Sequence, residues 1–98
     1  MPAPPGDGSL AKSRKLLLRL STHPRDFTWD ELSTLLRQLG FEKHAGAGSG
    51  ASFHSSTDPS RVIHLHKPHN RNPPTLLVVY VRAVHARLQD WGYYDDQQ

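Results

Sequence analysis

Ninety-eight residues, 36% of them hydrophobic and none of them cysteine, describe one small domain. Its packed part is expected to draw on roughly 65 to 75 residues, near the lower limit for folding alone. Disulfides and thiolate metal sites are excluded by composition. No apolar run reaches the length of a membrane span and no signal-peptide core opens the chain, so a cytoplasmic protein is expected. The formal charge is +3, unevenly spread: between Lys43 and Gln89 stand Lys43, Arg61, Lys67, Arg71, Arg82 and Arg87, against Asp58 as the only acid. A basic centre of this kind suits a phosphate-bearing partner, or simply a solvated surface.

Residues 1–9, rich in Pro and Gly, are expected to be disordered. A single domain is expected over 10–92, followed by an acidic tail over 93–98. From Leu10 to Leu20, Leu16, Leu17, Leu18 and Leu20 stand among Lys12, Arg14, Lys15 and Arg19. This is a short basic helix closed before Pro24, either part of the body or an arm ordered against it. Thr28-Trp29-Asp30-Glu31 is a capping box, with Thr28 as N-cap, Glu31 three residues on, and Phe27 placed to staple onto Leu32. Leu32, Leu35, Leu36 and Leu39 follow at helical spacing, and Gly40 supplies the stop. The first main helix is therefore expected over Trp29–Leu39.

Phe41–Ala45 reads as a first strand, the glycine-rich Gly46–Ala51 as a hairpin connection, and Ser52–Ser55 as a second strand. Thr57-Asp58-Pro59-Ser60 carries the residues of a chain reversal. From Ile63 to Lys67 apolar and polar residues alternate, placing Ile63 and Leu65 on a core face and His64 and His66 on the wetter one. Pro68 stops that strand. Pro73 and Pro74 suit a helix entrance, and Leu77, Val81, Val84, Leu88 and Trp91 form an apolar stripe. Leu76–Val81 alone would pass for a buried strand; its continuation to Trp91 favours a helix over Thr75–Trp91, ended by Gly92. Leu35, Leu36, Leu39, Leu65, Val84 and Leu88 are the expected core. The fold class is α+β, a three-stranded antiparallel sheet with both main helices on one face and His54, His64 and His66 on the other.

Three histidines and a lysine, His64, His66, Lys67 and His69, gather at the end of the third strand. Zinc usually wants three or four ligands held from more than one element, and no carboxylate lies nearby in sequence except Asp58, so neither a metal nor a cofactor is expected. Imidazole titrates near neutrality and can take a proton from a ribose 2′-hydroxyl or return one to a leaving 5′-oxygen. Lys67 could stabilise the charge that builds on the phosphorus. The same residues could also populate an ordinary solvated face.

Over roughly Lys15 to Gly92 the chain resembles HicA, the toxin half of the HicAB toxin–antitoxin pair. The resemblance is carried by Phe27-Thr28-Trp29-Asp30-Glu31-Leu32, Leu39-Gly40-Phe41, the turn Gly46-Ala47-Gly48-Ser49 with Phe53 following, and Leu65-His66-Lys67-Pro68-His69. It implies a double-stranded-RNA-binding-domain-like α-β-β-β-α fold, a metal-independent endoribonuclease acting on mRNA, and neutralisation by a HicB-like antitoxin. Many members of that family place a catalytic histidine directly after the Gly-Ser or Gly-Thr pair, where this chain has Gly50. The expected catalytic residues are therefore His66, in the intact motif, and His54, on the same strand face as Gly50. Lys43, Ser49, Arg61, Lys67, His69 and Arg71 are the expected RNA contacts. The alternative is an RNA- or protein-binding module of the same fold whose active site has decayed.

Overall fold

The structure, a computed structural model, describes residues 5–46, 48, 50–69 and 72–94, with side chains from Ser13 onward. Its elements run α1 (Pro5–Ser21), α2 (Trp29–Gln38), β1 (Phe41–Ala45), β2 (Gly50–Ser55), β3 (Val62–His66) and α3 (Val78–Asp90). The strands form one antiparallel sheet in the order β1-β2-β3. This is the expected α+β arrangement.

The capping box that opens α2 is complete: the Glu31 amide donates to Thr28 Oγ1 at 3.1 Å, and the Thr28 amide donates to Glu31 Oε1 at 3.0 Å. The other Glu31 oxygen accepts from Arg19 Nη1 at 2.7 Å, and Arg19 Nη2 reaches Asp26 at 2.8 Å. One guanidinium thus ties α1 to the start of α2. Leu17 and Leu20 are buried with Phe27, Leu32, Leu36 and Leu88 in a single core, so α1 is part of the packed body. It begins at Pro5 rather than at Leu10. His23, in the left-handed region at φ 54°, closes it, and its amide donates to the Leu20 carbonyl at 3.0 Å.

Gly40, at φ 92°, turns the chain from α2 into β1. Such an angle suits glycine because a Cβ would strain the backbone there. Leu39, expected in the core, is the C-cap of α2 and is half-buried. Buried Phe41, Ala51, Phe53, Ile63 and Leu65 bring one face of the sheet onto the helices. β2 begins at Gly50, two residues earlier than expected, and β3 ends at His66, before Lys67. Asp58 makes the reversal between them: Oδ1 accepts from the Ser60 amide and its carbonyl accepts from the Arg61 amide, both at 3.0 Å.

The helix expected from Thr75 starts only at Val78. Thr75 forms a bridge with Thr28, the Leu76 amide donates to the Phe27 carbonyl, and the Trp29 amide donates to the Pro74 carbonyl. These bonds hold Thr75–Leu77 extended against the entrance of α2. Leu76 is therefore buried, whereas Leu77, expected in the helical stripe, is the N-cap and is 56% exposed. Val81, Val84 and Leu88 carry the stripe. At the other end Gly92 (φ 87°) donates to the Gln89 carbonyl and Tyr93 to that of Leu88, the paired bonds of a Schellman stop. Tyr93 and Tyr94 dock: Tyr93 lies 5.8 Å from the Phe41 ring, and Tyr94 Oη donates to the Leu17 carbonyl at 2.8 Å. Burial raises the Tyr94 pKa. The rest of the tail, Asp95 to Gln98, lies outside the described residues.

Candidate functional site

Strand alternation and register build a face of imidazoles. His44 on β1, His54 on β2, and His64 and His66 on β3 occupy the side of the sheet away from the helices. Across it, His44 pairs with Ser52 and Ser52 with His64; Glu42 pairs with His54 and His54 with Val62; Gly50 pairs with His66. The Ser55 amide donates to the Arg61 carbonyl, so by antiparallel alternation Ser52–His64 and Gly50–His66 are non-hydrogen-bonded pairs, the kind whose side chains stand closest. His66 thus faces the bare Cα of Gly50. No side chain crosses from that position to cover its imidazole.

The two expected catalytic histidines are not brought together. His54 lies four residues along β2 from the partner of His66, about 13 Å at the usual rise per residue. Its Nε2 is engaged with Ser52 Oγ at 3.0 Å, and its ring meets His44 edge-on at 4.7 Å. His44 Nε2 in turn lies 3.9 Å from Glu42. The nearest second imidazole to His66 along its own strand is His64, two residues away and about 6.6 Å by the same rise. Both are exposed. Sequence alternation already places His64 beside His66, although the stretch that resembles HicA starts only at Leu65.

The expected RNA contacts divide. Lys67 follows directly after the end of β3 and borders two hollows, one of them the groove along the strand edge that His64 and His66 also border. In the other, Lys67 and His69 line a recess of about 380 Å³ with Lys43, Ala45, Gly50 and Trp29. The Lys43 ammonium sits 5.4 Å from the centre of the Trp29 ring. Arg61 lies at the opposite end of β3. Its guanidinium covers Trp91 and Tyr93, at 6.0 and 5.3 Å, and its Nε is 3.4 Å from Asp58 Oδ2. Hydrogen bonds from Ser60, chiefly its hydroxyl, and then the Arg61 charge hold the Asp58 carboxyl below its usual pKa. Arg61 thus packs on two rings and beside Asp58, at the end of β3 remote from His66. Ser49 and Arg71 lie outside the described residues.

Along the free edge of β3, His64, His66 and Lys67 border a groove of about 300 Å³ walled by Pro68, Leu76, Leu77 and Tyr80. Imidazoles on one side and an exposed aromatic ring on the other offer proton transfer next to a surface for a flat ring. No group of three or more histidine or acidic residues among the described residues could hold a metal ion. Among them, too, no helix is long and apolar enough to cross a membrane. Comparison with known proteins finds no matching family model, curated relative or solved structure.

Proposed function

We propose that this chain is a HicA-like endoribonuclease that cuts mRNA without a metal ion, with His66 as the principal acid–base residue. The observation that carries the reading is the position of His66: exposed, on the open sheet face, opposite Gly50 and two residues from His64. Cleavage by the ribose 2′-hydroxyl needs one group to remove its proton and another to protonate the leaving 5′-oxygen. His66 and His64, side by side on one strand face, supply both, and Tyr80 across the groove supports a base next to the scissile bond. In this mechanism His54 orients Ser52 and His44 rather than touching RNA. A HicB-like antitoxin would act by covering this face.

A second reading is favoured by one particular observation. The slot across from His66 holds glycine, which weakens transition-state stabilisation and suits a module that binds RNA without turning it over.

Growth arrest on expression separates the two. If the native chain arrests growth and His66→Ala does not, at equal abundance, the nuclease reading stands. Equal arrest by both chains removes His66 from the mechanism. Arrest by Gly50→His alone makes the native chain a binding module, because only the added imidazole opposite His66 restores chemistry.

A further inference from the structure

We infer that the recess formed by Trp29, Lys43, Lys67 and His69 is a phosphate subsite for single-stranded RNA, separate from the phosphate presented to His66. This rests on the RNA reading above but not on cleavage. The recess has an apolar floor of Ala45, Ala51 and Trp29, and its volume of about 380 Å³ falls within the range of about 300–1,000 Å³ typical of small-ligand sites. Its rim carries two ammonium groups and an imidazole. Among the described residues no carboxylate comes within ion-pair distance of Lys43 or Lys67. Asp30 and Glu42 line the adjoining hollow beyond Lys43 without pairing with it. Two like charges brought to one recess repel each other, and an anion between them reverses that term. Among the described residues, Gly48 and Gly50 complete the lining without adding side chains, so a phosphate can approach the backbone closely there.

The geometry also selects the form of the nucleic acid. Lys43 belongs to the helix side of the sheet, mid-strand across from Phe53, and His66 to the open side at the end beside the β1–β2 hairpin; Lys67 borders both hollows. One phosphate cannot meet both Lys43 and His66. A strand that occupies both must pass around the sheet end over that hairpin. A duplex, whose bending persistence is about 50 nm in DNA, cannot fold around one sheet edge, whereas a single strand can.

The test is nitrogen-15 NMR of the whole chain titrated with inorganic phosphate and with a short single-stranded oligodeoxyribonucleotide, which lacks the attacking 2′-hydroxyl. The expected result is perturbation of the Trp29 indole and of the Lys43, Gly48, Gly50 and Lys67 amides by both probes. Lys43→Gln combined with Lys67→Gln keeps the aliphatic stems, including the one over Trp29, and removes both charges. Two lost phosphate contacts should flatten the log–log salt slope by about 1.4, so that raising salt from about 50 to about 200 mM weakens the native chain about sevenfold more than the variant. His66→Ala should leave the recess shifts in place. Shifts confined to the histidine face, or an unchanged salt slope in the double variant, would overturn the subsite. Equal recess shifts with a blunt duplex would overturn the selection of single strands. Recess binding without any RNA cleavage would remove the nuclease reading and leave the subsite standing.

Discussion

Leu18 and Leu20 are two residues apart on α1, yet Leu20 is fully buried and Leu18 is 56% exposed. Replacing each by alanine asks whether α1 belongs to the cooperative core. A buried leucine truncated to alanine costs about 2–5 kcal/mol, because transfer energy and residual cavity add. A chain of this length has a total stability of about 5–15 kcal/mol, so Leu20→Ala should remove a substantial part of it. Leu18→Ala should stay within about 0.5 kcal/mol, as surface changes do. With a urea m-value of about 1–1.5 kcal/mol/M, a loss of about 3 kcal/mol lowers the unfolding midpoint by about 2–3 M. Far-UV circular dichroism in urea, with the slope checked for constancy, reads this directly. Equal midpoints for the two variants would show that α1 unfolds on its own and that the core drawn here is too large.

Three further outcomes are expected from the same packing. Burial, and after it the nearby His23, lowers the His85 pKa below its ordinary 6.5, while the unfolded chain titrates normally; the unfolded state therefore binds more protons as pH falls through 6.5, and stability drops. His85→Gln should flatten that slope in denaturation measured across pH 5 to 8, a window of about three units centred on histidine titration, and an unchanged slope would refute the contact's role. Thr28→Ala should cost about 1 kcal/mol through the lost cap, visible as a lower thermal midpoint. Arg61→Ala should lower stability by exposing Trp91 and Tyr93 yet leave the salt dependence of RNA binding as it is, since its charge packs at the far end of β3.

Local signals were legible wherever one element answers for itself. The Thr28–Glu31 box, the Gly40 and Gly92 stops and the alternation around His66 depend on neighbours within a few residues, and each sits where the pattern puts it. Segments stabilised by distant partners were not legible. Leu76 and Leu77 exchange roles because the extended chain at Thr75–Leu77 bonds to Phe27–Trp29, and no period within α3 announces that. Docking of α1 depends on Arg19 finding Glu31 beyond the turn and on Tyr94 finding Leu17 from the opposite end of the chain. In the site, the alternation puts His66 on the open face, but nothing local shows that Lys67 also lines a recess with Lys43. The recess needed the sheet register to bring Lys43 and Lys67 to Trp29.

The central claim is that chemistry resides on the open sheet face at His66. Its most direct test is the cleavage rate of a defined RNA by purified native chain and His66→Ala, in excess chelator, with RNA binding measured alongside. The account predicts that the native chain cuts, leaving a 2′,3′-cyclic phosphate and a 5′-hydroxyl. His66→Ala should lose on the order of 10²–10⁴ in rate, the size of a general acid–base contribution, while binding RNA as before. A His66→Ala chain that cuts at the native rate, or native cleavage abolished by the chelator, would contradict it.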